Sequence, residues 1–270
     1  MKTGYVSHGQ GITRTTESGE KVQEWQHGQW MVRNYRDTVE LAAEYGIMIN
    51  AHEPIKDTGI RRTWPHMMTR EGARGQEYNA WSQGNGPDHT AILPFTRMLS
   101  GPMDFTPGIM DVLIEPYKPN NRVPTTVAKQ LALYVTIHSP LQMVTDLPEN
   151  YAGNPAFGFI QDVPTTWEAS RVLTAAIGDH FTIARKERGG DDWYLGSVTD
   201  ENPRRLTVSL DFLDAGRAYV AHVYADGENA HWETRPKDVS ITRRAVDADT
   251  VFDVELAAGG GMAVRITPRD

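Results

Sequence analysis

The spacing of apolar residues changes near residue 165, and this change limits the folds open to the chain. Before it, apolar residues recur at helical spacing, as in Val32, Tyr35, Val39 and Ala42. After it, apolar and polar residues alternate, for example over 206–212 and 262–266, as they do in strands with one buried face. The pattern predicts an α/β region over 1–165 and an all-β region over 166–270.

The α/β region contains too few units for a complete barrel. A helix is predicted over 21–45, followed by a short apolar strand over 47–51, a second helix over 125–138 and a short strand over 141–144. We count about four βα units, whereas a (β/α)8 barrel needs eight and typically about 250 residues. The fold class predicted is therefore α/β plus all-β. If the α/β region belongs to a (β/α)8 TIM barrel, 1–165 holds only the second half of that barrel, followed by a C-terminal antiparallel β-sandwich of about seven strands (166–270).

Composition excludes several classes of function. The 27 basic and 35 acidic side chains give a net charge of −8, which argues against nucleic acid as a partner because phosphate binding needs clustered Lys and Arg. Cysteine is absent, so thiol catalysis and Cys-ligated zinc are excluded. No apolar run approaches the 18 or so residues of a membrane helix, so no membrane span is expected.

Three glutamates lie within 25 residues: Glu53 directly after the 47–51 strand, and Glu71 and Glu77 in a long loop. Paired carboxylates carry out glycoside hydrolysis, one protonating the leaving oxygen and another activating water or attacking carbon. Clustered carboxylates also bind calcium. From spacing alone, solvated loop glutamates explain the pattern equally well. The flat faces of Trp64, Tyr78 and Trp81 suit sugar rings, and they suit core packing as well.

Longer strings carry a family resemblance. They begin with His27-Gly28-Gln29-Trp30-Met31-Val32 and Ile49-Asn50-Ala51-His52-Glu53-Pro54-Ile55-Lys56, and continue with Thr58-Gly59-Ile60-Arg61-Arg62-Thr63. Further strings are Met68-Thr69-Arg70-Glu71-Gly72-Ala73-Arg74-Gly75-Gln76-Glu77-Tyr78-Asn79-Ala80-Trp81, Ile92-Leu93-Pro94-Phe95-Thr96-Arg97-Met98-Leu99 and Gly101-Pro102-Met103-Asp104-Phe105-Thr106-Pro107-Gly108. In these strings the sequence resembles glycoside hydrolase family 97, over essentially the whole chain and more weakly after 165.

The resemblance implies specific residue roles. The family combines an N-terminal β-rich domain, a catalytic (β/α)8 barrel and a C-terminal β domain, and its inverting branch contains calcium. Carried over by motif, Glu77 would be the general acid and Glu53 one of two general-base glutamates. Glu53 and Glu71 would be ligands of Ca²⁺, and His52 would contact the sugar at the cleavage subsite.

The resemblance also indicates a branch of the family. Retaining members carry an aspartate nucleophile on the strand that aligns with Lys2-Thr3-Gly4-Tyr5, where this chain has glycine. Glycine cannot attack carbon, so the sequence favours the inverting, calcium-dependent α-glucosidase branch, acting on the α-glucosidic bonds of maltooligosaccharides. An α-galactosidase of the same family remains an alternative.

The first half of the barrel and the N-terminal domain of the family have no counterpart in these 270 residues. With them go the second base glutamate and one calcium ligand, so we expect this chain alone to be inactive or nearly so. A non-catalytic carbohydrate-binding or structural fragment is therefore a second alternative. The resemblance implies a periplasmic or outer-surface location.

Four other residues have two interpretations each. His27 would line the pocket or be a structural histidine, and Asp104 would sit at the barrel mouth or begin a turn. Arg61 and Arg62 would orient site carboxylates or lie at the surface.

Overall fold

The computed structural model describes residues 1–4, 11–114 and 117–269; Tyr5 of the motif around Gly4 therefore lies outside the described residues. Five short strands occur in the first region, namely β1 (Lys2–Thr3), β2 (Ile12–Thr15), β3 (Lys21–Glu24), β4 (Ile49–Ala51) and β5 (Met67–Arg70). Strands β1, β4 and β5 form a parallel sheet in that spatial order. A parallel bridge between Arg70 and Met103 extends this order by one position. The carboxyl ends of these segments therefore meet at one edge.

The helices are short apart from two. The α-helices are α1 (Gln29–Glu44), α2 (His89–Ile92), α3 (Val127–Thr136), α4 (Pro148–Tyr151) and α5 (Phe157–Asp162), and 3₁₀ turns cover Ile60–Arg62, Gln76–Ala80, Leu93–Phe95 and Arg97–Ser100. The helix predicted over 21–45 begins only at Gln29, because 21–24 pairs with β2 in a hairpin. Its buried face is formed by Met31, Val39 and Ala42, while Val32 is exposed.

The alternation of strand and helix is incomplete in this region. Helix α1 connects β1 and β4 in the expected way, but only a 3₁₀ turn lies between β4 and β5. The predicted strand over 141–144 is wrong, since Met143 and Val144 are exposed and no strand forms there. The structure therefore contains three parallel strands and one bridge, which is less than four complete βα units.

The all-β region is confirmed, with eight strands where about seven were predicted. They are β6 (Trp167–Ala176), β7 (His180–Glu187), β8 (Trp193–Thr199), β9 (Arg204–Ser209), β10 (Tyr219–Asp226), β11 (Val239–Val246), β12 (Val251–Leu256) and β13 (Gly261–Pro268). Six of them form an antiparallel sheet in the order β11-β10-β13-β8-β7-β6, and β12 pairs with β9. Residues of both sheets, such as Leu195, Phe252 and Val254, share one apolar cluster, as expected of a sandwich.

Helix α3 joins the two regions. All ten of its residues are buried, and it packs across β8 and β13 of the six-stranded sheet. Two strand glycines permit this approach: a β-carbon on Gly196 would lie 2.8 Å from the Ala132 carbonyl oxygen, and one on Gly261 would lie 2.5 Å from the Lys129 Cα. One apolar core consequently extends from Leu93 to the sheet residue Ala263.

Within the described residues, no helix combines the length and apolar character needed to cross a membrane.

Candidate active site

Backbone pairing brings the chemistry-bearing residues to one edge of the parallel sheet. The His52 amide donates to the Thr3 carbonyl at 2.9 Å, and the Glu71 amide donates to the Ala51 carbonyl at 2.8 Å. The Asp104 amide donates to the Arg70 carbonyl at 2.9 Å. His52, Glu71 and Asp104 thus follow adjacent segments, at the edge where parallel α/β folds build their sites.

His52 lies buried between carboxylates. Its Nε2 donates to Oδ2 of Asp104 at 2.6 Å, and its Nδ1 lies 3.4 Å from Oε2 of Glu71 and 3.8 Å from Oε1 of Glu77. Asp104 also accepts from Nδ2 of Asn50 at 2.6 Å. Burial raises the pKa of Asp104, but the His52 and Asn50 hydrogen bonds outweigh it and lower that pKa overall. The anionic Asp104 therefore fixes the orientation of the His52 ring.

Glu53 adopts an uncommon backbone conformation, with φ of 40°. Its carbonyl oxygen accepts from Nε2 of Gln26 at 2.6 Å and from the Tyr35 hydroxyl. Burial, with the Glu53 and Glu71 carboxylates, raises the pKa of Tyr35 to about 12, so the phenol stays a donor. Such strain persists only where surrounding contacts hold it, and it concentrates at functional sites. A β-carbon on Gly4 would overlap Oε2 of Glu53, which shows that the carboxylate lies against Gly4.

Glu71 is mostly buried and surrounded by like charges. Burial raises its pKa most, His52 and the hydrogen bond from the Glu53 amide oppose this, and the Glu77 and Glu53 carboxylates raise it further. The Glu53 amide donates to Oε2 of Glu71 at 3.4 Å. Carboxylates this close to one another gain from a shared cation or a shared proton.

Glu77 stands at the open side of the group. It belongs to the 3₁₀ turn Gln76–Ala80, its side chain is 56% exposed, and Nζ of Lys2 lies 3.7 Å from its Oε2. The neighbouring Gln76 is buried and donates through Nε2 to Oε1 of Gln130 at 2.8 Å. Gln130 also accepts from the Gly108 amide at 3.0 Å, so helix α3 fixes the turn that carries Glu77.

The three glutamates line one open cleft of about 530 Å³. Its other lining residues are Gln26, His27, Pro54, Gly72, Ala73, Arg74, Gly75, Tyr78 and Trp81. Trp81 is 67% exposed and packs edge-on against Tyr78 at 4.6 Å between ring centroids. Trp64, in contrast, packs in a separate apolar cluster beside α1.

Part of the donor set suits a hard cation. One ligand atom each from His52, Glu71 and Glu77 lies within 4.8 Å of the others. This group contains Glu71, one of the two predicted calcium ligands, but not Glu53, the other. Calcium takes oxygen ligands, so Glu71 and Glu77 fit it, while a ring nitrogen does not. Glu53 lines the same cleft, and its role as a calcium ligand stays a prediction.

The structure places each of the four residues for which the sequence left two interpretations open. His27 lines the cleft, as the pocket interpretation requires. Arg61 instead forms an ion pair with Asp57, and Arg62 is exposed, so neither orients a carboxylate of the cleft. Asp104 lies at the mouth of the parallel sheet as one interpretation held, but it acts through His52. The contacts of Gln26 and Tyr35 with Glu53 had no signal in the sequence.

Comparison with known proteins identifies the family. The model for glycoside hydrolase 97 matches residues 1–73, and the model for the C-terminal domain of glycosyl hydrolase 97, described with oligomerisation, matches 166–267. The chain belongs to glycoside hydrolase family 97.

Solved family 97 enzymes share the fold. An enzyme from Pseudoalteromonas sp. strain K8 in complex with acarbose is 53% identical, with a TM-score of 0.95, over 100% of this chain and 42% of that one. A variant of the Pseudoalteromonas enzyme in complex with panose is 52% identical, with the same TM-score and the same coverage. A curated relative from Bacteroides thetaiotaomicron, a retaining alpha-galactosidase, is 36% identical over 86% of this chain and 35% of the relative. The chain therefore spans about two fifths of these proteins or less.

Proposed function

We propose that this family 97 chain is the C-terminal part of a calcium-dependent α-glucosidase that works with inversion. The observation that carries the proposal is the meeting of Glu53, Glu71 and Glu77 in one cleft at the ends of parallel strands. Family membership makes the chain part of a glycosidase, with a carbohydrate substrate. The sugar, the stereochemistry and the cation are the proposed elements.

The roles follow from the surroundings of each carboxyl group. Glu77, at the open side of the cleft beside Lys2, would protonate the departing oxygen. Glu53, held rigidly by Gln26 and Tyr35 through its carbonyl, would take the proton from the attacking water. An inverting pair stands roughly 6.5–9.5 Å apart so that a water molecule fits between sugar and base. His52, whose Nε2–H donates to Asp104, would accept a hydrogen bond from a sugar hydroxyl at Nδ1.

Calcium would be held by Glu71, with Glu53 and oxygen atoms of water, substrate or other parts of the protein completing its shell. When bound, the ion would keep its carboxylate ligands ionised and attract sugar hydroxyl oxygens. The mostly buried Glu71 carboxylate, whose pKa the neighbouring Glu77 and Glu53 carboxylates raise further, supports this assignment.

Inversion is supported at Gly4. A nucleophilic side chain at this position would overlap the Glu53 carboxylate and lie within 2.8 Å of the His52 β-carbon. A base at Glu53 and a nucleophile at residue 4 are therefore mutually exclusive in this geometry. In this chain residue 4 is glycine, and Glu53 is the proposed base.

Glucose is supported by the solved relatives. Acarbose and panose, named with the Pseudoalteromonas enzyme, are mimics or oligomers of α-linked glucose. The 36% identical curated relative is named for galactose and retention instead, which favours α-galactosidase as the second candidate. Because a retaining mechanism lacks its nucleophile here, we place glucose first.

Residues 1–165 would form the second half of the (β/α)8 barrel, in which β1, β4, β5 and the Met103 bridge occupy consecutive positions. The remaining strands, a second base glutamate and a further calcium ligand would come from the N-terminal half of the enzyme. Its location would be periplasmic or outer-surface. A chain lacking that half would bind carbohydrate weakly and turn over little, the non-catalytic alternative.

A chimaera tests these assignments. The segment of the Pseudoalteromonas enzyme that precedes the matched region is fused in front of this chain, and hydrolysis of panose is followed by NMR with and without EDTA. We expect calcium-dependent release of β-glucose as the first product. Glu77→Gln should lower kcat about 10²–10⁴-fold, while Glu228→Gln, in an exposed turn, should leave it unchanged. First release of α-glucose, or activity on α-galactosides alone, would overturn the proposal.

A further inference from the structure

A second polar cavity, of about 340 Å³, lies where the end of α3 meets the beginning of the β-sandwich. None of its residues lines the glutamate cleft. It is lined by His138, Pro140, Thr165, Thr166, Trp167, Ser170, Arg185 and Arg188. Two guanidinium groups thus border one small space.

Arg185 is the notable group of this cavity, because its side chain is half-buried and forms no ion pair with a described carboxylate. It donates through Nε to the Val135 carbonyl at 2.7 Å and through Nη1 to Oγ of Ser170 at 2.6 Å. Burial lowers its pKa to about 10, and no described carboxylate offsets that effect. An isolated buried charge is costly, so such a group normally has an anionic partner.

Several other lining residues carry hydrogen-bond donors. Arg188 donates to the Trp167 carbonyl at 3.2 Å, and its other guanidinium nitrogens remain available to the cavity. Nδ1 of His138 is buried without a hydrogen-bond partner among the described residues. Burial and the Arg185 charge lower the pKa of His138 to about 4, so the ring is neutral near pH 7 and has one N–H to donate. The hydroxyls of Thr165 and Thr166 complete the set.

We propose that this cavity is a carboxylate-binding site, in which Arg185 and Arg188 hold the anion. A planar guanidinium donates two parallel N–H groups, which match the two oxygens of a carboxylate. The site is independent of the glycosidase assignment. The bound carboxylate group would belong either to a small organic acid in solution or to an Asp or Glu side chain of a second copy of the chain.

Titration of the complete 270-residue chain distinguishes these sources. Acetate and citrate are added at constant ionic strength with chloride as the reference anion, and the ring resonances of His138 and the heat of binding are followed. The sedimentation coefficient is measured in parallel. We expect saturable binding that shifts His138 resonances and is at least tenfold weaker in Arg185→Gln. Arg205→Gln, an exposed arginine paired with Glu255 on the sandwich, is the matched control and should bind as the original chain does.

Arg188→Gln covers the case in which Arg185→Gln fails to fold, since it leaves the Val135 and Ser170 contacts intact, and it should weaken binding about threefold. Self-association that acetate disrupts and Arg188→Gln weakens would support the site with a protein carboxylate as its ligand. The proposal is overturned if acetate and citrate shift His138 no more than chloride does and no association depends on either arginine.

Discussion

Gly4 and Glu53 share a space that admits only one side chain, because a β-carbon on Gly4 would overlap Oε2 of Glu53. Gly4 also has φ of 133°, a conformation that other residues rarely adopt. The identity of residue 4 therefore decides where the Glu53 carboxylate points.

Gly4→Ala should destabilise the chain and displace the Glu53 carboxylate. Backbone strain of this kind costs about 1–3 kcal/mol, and the overlap with Glu53 adds to it. Gly19→Ala is the matched control, since Gly19 has φ of 85° but nothing within 4 Å of its β-carbon position. Denaturant unfolding of both variants measures the difference. Equal losses would mean that Glu53 moves away freely and that its position does not depend on Gly4.

Asp104→Asn should loosen His52 while keeping the shape of the buried group. Asp104 accepts hydrogen bonds from His52 and Asn50, each at 2.6 Å, and a neutral amide accepts both more weakly. We expect a loss of about 1–3 kcal/mol in unfolding free energy, together with a changed tautomer or ring position of His52 in ¹⁵N NMR spectra. An unchanged His52 spectrum would contradict the positioning role of Asp104.

The sequence predicted the glutamate group better than its supports. Glu53 follows the predicted strand over 47–51, and the shared motif placed Glu71 and Glu77 near it. The strand β5 that ends directly before Glu71 was not predicted, because 55–90 was expected to be a long loop. The hold of Gln26 and Tyr35 on Glu53 depends on the packing of α1, which no local spacing encodes. For Arg61 the sequence left two interpretations open, and the structure decides between them through a local contact, the ion pair with Asp57 four residues earlier.

The sequence also placed the helix over 125–138 but not its function as a bridge. Because every face of α3 is buried, other elements must pack against it on all sides. Those elements include strands that lie 60 or more residues later in the chain. Long-range pairing of this kind is invisible to periodicity. The β-sandwich thereby supports the turn that carries Glu77, through Gln130.

Gln130→Ala tests this support. The change removes the acceptor of both the Gln76 amide and the Gly108 backbone amide, which are buried. Leaving such donors unpaired costs about 1–3 kcal/mol each, so we expect a lower unfolding free energy and, in the chimaera, a lower kcat with little change in KM. Gln161→Ala, on the exposed face of α5, is the control and should leave both unchanged. A loss of stability with kcat intact would show that Gln130 does not position the acid.

The stability of the sandwich should depend on pH through Asp200. Burial raises the pKa of Asp200, but hydrogen bonds from Arg204 and Asn202 outweigh it and lower the pKa to about 2. An unfolded chain has an aspartate pKa near 3.9, so between these values the unfolded state binds more protons. The stabilisation is therefore complete above about pH 4 and is lost as pH falls towards 2.

We expect Asp200→Asn to be less stable than the original chain by about 1–3 kcal/mol at neutral pH, with the difference shrinking steadily below pH 4. Thermal unfolding of both proteins across pH 2–7 measures this, with Asp249→Asn, in an exposed turn, as the control. A difference that stays constant down to pH 2 would mean that Asp200 acts through packing and not through its charge.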